Sequence, residues 1–306
     1  MTMIACEHVT KDYGSVKALR DLSFAIEAGG CVGFLGPNGA GKTTAIRILT
    51  GLARASSGRA TVAGLDVARS GPEVRRRIGY LAQSPAFYNY MTGEGFLLFV
   101  AGLFGLTGRL GRARAEEMLR LTGLWEARRR AIGGYSGGMR QRLGLAQALL
   151  GRPELVFLDE PVSALDPVGR HEILTLLEGL KTETTVFMSS HILADVERVA
   201  DQLVIIHEGR VAAQATINDL REQYATPAFE VEVGPHSPDL TAALQALPYV
   251  AGVRREGTLY RIAAANPAAA REQLPRDVLN QGATLLRYGV VAPTLEDIFL
   301  KVVTGS

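Results

Sequence analysis

The sequence has 306 residues, of which 47% are hydrophobic and 21% are charged. This length suits two domains, or one large α/β domain with an appendage, and it provides a substantial core without disulfides or structural metals. The formal net charge of +2, from 33 basic and 31 acidic residues, argues against a chain that binds polyanions over its whole surface. We therefore expect no nucleic-acid partner.

The chain shows neither a signal peptide nor a membrane span. Polar residues, including Lys11 and Asp12, stand where a signal peptide has its apolar stretch. The longest apolar run, Phe96–Leu106, is shorter than the ~20 residues of a membrane-spanning helix, so we expect a buried or partner-facing helix there. Two free cysteines, Cys6 and Cys31, suit a reducing compartment. The sequence predicts a cytoplasmic protein that does any membrane work through another subunit.

The first part of the chain, residues 1–220, alternates strand-like and helix-like segments. The apolar run Cys31–Leu35 is followed by a glycine loop and by Thr43–Leu52, which has helical periodicity. Leu155–Leu158 and Thr185–Met188 are further short apolar runs, each followed by a turn and a helical stretch. Short buried strands that alternate with helices predict an α/β domain with a parallel or mixed sheet covered on both faces.

A glycine-rich loop follows the first of these apolar strands. It matches the phosphate-loop pattern G-x-x-x-x-G-K-[ST] between a strand and a helix, and it comprises Gly36, Pro37, Asn38, Gly39, Ala40, Gly41, Lys42, Thr43 and Thr44. The glycines let successive backbone N–H groups point at phosphate oxygens, and the helix N-terminus adds further donors. Lys42 supplies a positive charge to the terminal phosphates, and the Thr43 hydroxyl can bind Mg²⁺.

Polar residues at the ends of other strands can complete a hydrolytic site. Asp159 and Glu160 end an apolar strand, and the phosphate loop favours a metal-shell role for the first and a water-activating role for the second over two exposed loop acids. His191 ends a neighbouring strand, where we expect a γ-phosphate contact. Gln83 follows a short strand and can bind the metal or the attacking water. Tyr13 could stack on a base or simply pack.

A second candidate phosphate site begins a later helix. Ser136, Gly137 and Gly138 precede a helical pattern that extends to Leu150, and a serine with two glycines at a helix start favours an anion. One chain therefore carries two such sites but only one glycine cradle. Two copies paired about a twofold axis would let each complete the other's nucleotide pocket.

These motifs, in this order from Ile4 to Leu220, resemble the nucleotide-binding domain of ATP-binding-cassette (ABC) transporters. The resemblance implies a P-loop NTPase fold, ATP and Mg²⁺ as cofactors, and a homodimer in which Ser136–Gly138 contacts the γ-phosphate held by the other copy. It also implies a dimer-crossing loop at Ser163–Asp166. The roles implied for single residues are adenine stacking by Tyr13, catalysis by Lys42, Gln83, Glu160 and His191, and metal binding by Thr43, Gln83 and Asp159.

The second part of the chain, residues 225–306, has a different pattern. We predict the order β-α-β-β-α-β plus a final helix, which is typical of a small α+β ferredoxin-like domain. The expected segments are Phe229–Val233, Asp239–Leu247, Tyr249–Arg255, Leu259–Ala263, Ala268–Leu279, Ala283–Val291 and Leu295–Val303. Pro275 should kink or break the second of the three helices. We find no catalytic constellation here and expect an accessory or regulatory role.

Within the family, Tyr135, Met139 and the segment Thr294–Leu300 resemble the bacterial drug and antibiotic exporter branch. The branch implies a motor for a separate transmembrane permease, held peripherally at the inner face of the cell membrane. The run Phe96–Leu106 lies where the family docks this partner, although burial in the core explains it nearly as well.

Three other functions remain open. An importer motor would also have a small ferredoxin-like C-terminal domain that binds a regulator. A soluble cassette protein could act on ribosomes or DNA, but the second cassette or the coiled-coil insertion usual in such proteins is missing. A binding module without hydrolysis conflicts with the intact Lys42, Glu160 and His191.

Overall fold

The structure is a computed structural model that describes residues 1–223, 228–291 and 294–304. The chain divides into two compact units, Met1–Ile217 and Asn218–Ser306. We describe each unit by itself, and the domain boundary expected at 220–225 stays a prediction.

The first unit contains ten strands and seven helices among the described residues. Its strands are β1 (Thr2–Tyr13), β2 (Val16–Glu27), β3 (Cys31–Leu35), β4 (Ser57–Val62), β5 (Leu65–Asp66), β6 (Ile78–Leu81), β7 (Leu155–Asp159), β8 (Thr185–Ser190), β9 (Gln202–His207) and β10 (Arg210–Thr216). Its helices are α1 (Lys42–Leu49), α2 (Gly71–Arg77), α3 (Gly93–Leu103), α4 (Gly108–Leu121), α5 (Gly137–Leu150), α6 (Pro167–Leu180) and α7 (Leu193–Val199). An eighth helix, α8 (Ile217–Gln223), starts where this unit ends.

Two sheets form the frame of this unit. One has the order β10-β9-β3-β8-β7-β6, with only β10 antiparallel to its neighbour, and the other is antiparallel with the order β2-β1-β4-β5. Every residue of β3, β7 and β8 is buried, as expected for parallel strands covered on both faces. The ring of Phe187 lies 5.1 Å from Phe34 and 5.4 Å from Phe157, so the core is continuous across these three strands. The predicted α/β class is confirmed.

Helix α1 is shorter than the sequence pattern indicates. It ends at Leu49 instead of Leu52, because Gly51 adopts the left-handed conformation with a φ of 72°. The Thr50 hydroxyl donates to the carbonyl of Ile46 and satisfies part of the last turn. The apolar pattern of the sequence continues past the end of the helix to Leu52. This residue is apolar, but it is 58% exposed and does not belong to the buried face of α1.

Helix α3 carries the longest apolar run of the sequence. Phe96 and Val100 are buried, whereas Phe99 and Leu103 are exposed, so one face of the helix belongs to the core and another faces outward. No helix among the described residues is both long and apolar enough to cross a bilayer. Further along, the ring of Trp125 lies between two guanidinium groups.

After α8, the second unit has one four-stranded antiparallel sheet and three further helices within its described residues. Its elements are β11 (Ala228–Val233), α9 (Thr241–Gln245), β12 (Val250–Glu256), β13 (Leu259–Ala264), α10 (Pro267–Asn280), β14 (Leu285–Val291) and α11 (Leu295–Thr304). The strand order β12-β13-β11-β14, with a β-α-β-β-α-β sequence, is the predicted ferredoxin-like arrangement. Helices α9 and α10 share a core with the sheet through Leu244, Leu274 and Val278.

The sequence predicts a kink or a break at Pro275. The break is wrong, because α10 continues through this residue to Asn280, and the kink stays a prediction. Asn266 caps the helix by accepting from the N–H of Ala269, and the buried side chains of Leu274 and Val278 hold the turns on either side of the proline. Packing against the sheet thus outweighs the lost hydrogen bond, which costs about 3 kcal/mol in a helix interior.

Candidate active site

The phosphate loop connects β3 to α1 at the carboxyl end of the parallel sheet. Gly39 and Gly41 have positive φ angles of 82° and 107°, which a residue with a side chain adopts only at a cost. A Cβ at Gly36 would lie 2.4 Å from the carbonyl oxygen of Ile206, and one at Gly41 would lie 2.6 Å from that of Ala18. Glycine is therefore required at both positions for the loop to fit against the neighbouring strands.

Lys42, the first residue of α1, is 7% exposed. Its Nζ donates to the carbonyl of Gly36 at 2.6 Å and lies 4.0 Å from Oε1 of Glu160. Burial lowers the pKa of Lys42, while the carboxylates of Glu160 and Asp159 act in the opposite direction. The ammonium group is thus held inside the loop, where it can neutralise an added negative charge.

Asp159 ends β7 and is almost completely buried. Its Oδ1 accepts from the Ser189 hydroxyl at 2.6 Å, but its Oδ2 has no hydrogen-bond partner in the described structure. An unpartnered buried carboxylate oxygen is costly, and a hard cation or its water shell satisfies it. Thr43 and Gln83, which carry a hydroxyl and an amide oxygen, line the cavity at the phosphate loop, and together with this carboxylate they are oxygen donors of the kind that Mg²⁺ takes.

Glu160 is held in place on both its backbone and its side chain. It has a φ of 54°, a left-handed conformation that costs a non-glycine residue about 1–2 kcal/mol. Its N–H donates to Ser189 Oγ at 3.1 Å, and its Oε2 lies 2.8 Å from Nδ1 of His191. The carboxylate is buried while the histidine ring is 47% exposed, so the pair lies between the core and solvent.

Most of the predicted site residues share one cavity of about 270 Å³. Its described lining consists of Ala18, Pro37, Asn38, Gly39, Gly41, Lys42, Thr43, Thr44, Gln83 and Glu160. Gly36, Ala40, Asp159 and His191 are not part of this lining. Neither is Tyr13. It ends β1 with its ring 49% exposed and the Lys11 ammonium 4.8 Å from the ring centre, so its role in base stacking stays a prediction.

The Ser136–Gly138 segment lies outside this cavity of its own chain. Ser136 is the N-cap of α5, and its hydroxyl accepts from the N–H of Met139 at 3.2 Å. A Cβ at Gly138 would lie 3.0 Å from Leu165, which places the predicted dimer-crossing loop Ser163–Asp166 directly against this segment. Ser136 and Gly137 are exposed, so the backbone at the start of α5 is open to a ligand.

Two further residues of the site were not predicted from the sequence. Ser189 connects Asp159 to the backbone of Glu160, and Gln141 of α5 donates from Nε2 to the carbonyl of Glu160 at 3.3 Å. Ser189 is the last residue but one of the buried strand β8, two positions before His191, and this position could have indicated a role. No sequence signal distinguishes Gln141 from other helix residues.

A glycine cradle after a buried parallel strand, a lysine inside it and two acids at the end of another strand define a phosphate-loop nucleotide hydrolase. Comparisons with known proteins give the particular family. Residues 19–163 match the family model "ABC transporter", and residues 216–303 match "ATP-binding protein DrrA1-3-like, C-terminal domain".

Two relatives match over nearly the whole of this chain. The chain is 41% identical to an uncharacterized ABC transporter ATP-binding protein, YxlF, of Bacillus subtilis, over 98% of this chain and 99% of that protein. It is 37% identical to the daunorubicin resistance ATP-binding protein DrrA2 of Streptomyces coeruleorubidus, over 97% and 94% of the two chains. A solved structure described as the ATP-binding subunit of an ABC transporter superposes with a TM-score of 0.67 at 31% identity, covering 72% of this chain and 93% of the other. The chain belongs to the ATP-binding subunits of ABC transporters and is an ATPase with a DrrA-like C-terminal domain.

Proposed function

We propose that two copies of this chain close on two ATP molecules and that the resulting hydrolysis powers export through a separate transmembrane permease. The observation that carries the dimer is the placement of the two phosphate-binding segments. Gly36–Thr44 and Ser136–Gly138 do not share a cavity within one chain, and the second segment is exposed at a helix start. A twofold pair would bring each segment onto the nucleotide of the other copy.

Within this dimer, Glu160 accepts the proton of the attacking water. His191 fixes the carboxylate through its 2.8 Å contact, and the strained backbone holds Glu160 in the lining of the cavity. Lys42 and the loop N–H groups stabilise charge on the transferring phosphoryl group. Thr43, Gln83 and Asp159 would hold Mg²⁺, which would supply positive charge to neutralise the phosphates.

An apolar groove provides a surface for the permease. It has a volume of about 570 Å³ and lies between residues 86–88, α3 and α5. Its aromatic and aliphatic lining includes Phe87, Phe96, Phe99, Leu103 and Phe104. Exposed apolar side chains around a groove are typical of a protein–protein interface, and attachment there would hold the subunit at the inner face of the cell membrane.

The C-terminal unit supports export as the direction of transport. Residues 216–303 match a family named for DrrA proteins, and the relative DrrA2 is named for daunorubicin resistance. Both favour export of a drug-like compound over the importer alternative.

The variant Glu160→Gln tests this function. We expect its ATP turnover to fall about 10²–10⁴-fold, because the general base is lost while the cavity keeps its shape. With Mg·ATP it should elute as a dimer in size-exclusion chromatography. Glu154→Gln is the matched control, since Glu154 is exposed at the other end of β7. Normal turnover by Glu160→Gln would remove Glu160 from its role, and a variant that stays monomeric would contradict the dimer.

A further inference from the structure

A cavity on the antiparallel side of the first unit is surrounded by arginine. It has a volume of about 300 Å³ and lies between the end of α1, the β4–β5 hairpin and the start of α2. Four arginines line it: Arg54, Arg59, Arg69 and Arg75. Among the described residues its only acidic lining residue is Asp66. This concentration of positive charge contrasts with the near balance of the chain as a whole.

Asp66 cannot neutralise the cavity. Its Oδ2 accepts from Nε of Arg59 at 3.0 Å, and its Oδ1 accepts from the N–H groups of Ala68 at 3.0 Å and Arg69 at 3.2 Å. Both carboxylate oxygens are therefore engaged, and one of the four guanidinium groups is paired. In the part of the chain that the structure describes, the other three form no ion pair.

Two glycines, which have no side chain, lie next to the guanidinium group of Arg75. A Cβ at Gly51 would lie 3.2 Å from Nη1 of Arg75, and a Cβ at Gly71 would lie at the same distance from that atom. A side chain at either position would press on the guanidinium group, so the two glycines leave it space. Arg75 is exposed, as the other three arginines are, and its guanidinium group is therefore accessible to a ligand from solvent.

We propose that this arginine cavity binds a phosphate group, carried by a phospholipid headgroup or by a free phosphate ion. Guanidinium groups bind phosphate oxygens in pairs through their planar N–H forks, and they do so better than a point charge. Unpaired like charges repel each other, and a bound anion removes this repulsion. The volume is at the lower end of the range for small-ligand pockets, which suits one phosphate with a short attached group.

The position of the cavity favours a ligand near the membrane, and this part of the inference rests on the permease contact proposed above. Arg75 lines the arginine cavity and also the apolar groove that we assign to the permease. An anion bound here would lie beside that contact, and the nucleotide cavity shares no lining residue with it among the described residues. Phosphate binding at this place can therefore be measured independently of ATP hydrolysis.

Two probes distinguish the sources of the phosphate. The full-length protein, saturated with Mg·ADP to fill the phosphate loop, is mixed with vesicles of phosphatidylglycerol or phosphatidylcholine and recovered by flotation. In a separate experiment inorganic phosphate is titrated and followed by ³¹P NMR. The variant combines Arg54→Gln and Arg69→Gln, which line the arginine cavity but not the apolar groove. The control removes the same charge at exposed positions elsewhere in the unit, through Arg20→Gln and Arg112→Gln.

We expect the arginine-cavity variant to bind at least about tenfold more weakly than the control, with unchanged basal ATPase activity and melting temperature. A loss confined to phosphatidylglycerol vesicles identifies the headgroup as the source, and a loss confined to inorganic phosphate identifies the free ion. Equal binding by variant and control, or no binding by the wild type to either probe, overturns the proposal and leaves a solvated arginine surface.

Discussion

Ser189 is the residue on which the two acids of the site depend. Its hydroxyl donates to Asp159 and accepts from the backbone of Glu160, and it is fully buried. In Ser189→Ala both buried groups lose this partner, so we expect the free energy of unfolding to fall by about 1–3 kcal/mol and ATP turnover to fall with it. Chemical denaturation and a steady-state ATPase assay measure the two effects.

Ser190→Ala is the control for this substitution. Ser190 is also buried, but its hydroxyl hydrogen-bonds only to the backbone of Ile192 in the described structure. We expect it to retain most of its turnover. Equal losses of activity in the two variants would show that Ser189 has no particular role in holding the acids.

The two cysteines allow a prediction about pH. Burial raises the pKa of Cys6 to about 12 and that of Cys31 to about 12, with Asp201 adding to the second shift. Since the thiolate is the reactive form, neither thiol should react with Ellman's reagent at pH 8 until denaturant is added. The raised pKa also means that stability is lost as the pH rises from about 9, where the unfolded thiol ionises, towards 12. Rapid labelling of the native protein would contradict this burial.

The site could be predicted from the sequence where its residues are neighbours along the chain, and not where they are far apart. Residues 36–44 act as one contiguous segment, so their order alone predicts the cavity that they line. Ser189 and Gln141 are 30 and 19 residues from the acids that they contact, and the interaction exists only because the chain folds back. Serine and glutamine are common residues, and no local pattern marks these two.

Helix α10 forms although it contains Pro275, a residue that is unfavourable in a helix interior. Replacement of Pro275 by alanine restores a backbone donor and removes the ring from the helix interior. We therefore expect Pro275→Ala to raise the free energy of unfolding of the second unit by about 1–3 kcal/mol. Thermal and urea denaturation of the whole chain provide the measurement.

Arg276→Ala, at the next and exposed position of α10, is the matched control, with a change expected within about 0.5 kcal/mol. A destabilised Pro275→Ala protein would mean that the proline ring itself packs productively.

The fold was predicted best where strands are buried on both faces. The runs that became β3 and β7 are apolar throughout and bounded by turns, so their limits agree within a residue or two. Helix ends were less accurate: α1 ends before Leu52, and α9 covers Thr241–Gln245 instead of Asp239–Leu247. Apolar residues continue past these ends, and backbone conformation, not hydrophobicity, stops the helix.

At the scale of the whole molecule, the proposed dimer predicts complementation between two inactive proteins. Lys42→Ala damages the phosphate loop, and Ser136→Glu puts a negative charge where the segment would meet the γ-phosphate. Each variant alone should be inactive. In a mixed dimer, one of the two sites combines the intact loop of one copy with the intact segment of the other, so a mixture should recover about a quarter of wild-type activity.

The measurement is ATP hydrolysis by the two purified variants, alone and mixed in equal amounts. Lys42→Ala mixed with Glu160→Gln is the control, because both changes damage residues of the same cavity in one chain and leave the mixed dimer with no intact site. Recovery in the control, or its absence in the first mixture, would contradict a site shared between copies.

Trp125 is the only tryptophan of the chain, and its ring lies 4.0 Å from the guanidinium of Arg120 and 3.8 Å from that of Arg128. Its indole emission therefore originates from a single place, between α4 and the start of α5. A rearrangement of that segment that separates the ring from its two cationic neighbours changes the wavelength and the intensity of the tryptophan emission. The protein thus carries an internal optical probe, and stopped-flow fluorescence can follow its working cycle without an attached dye.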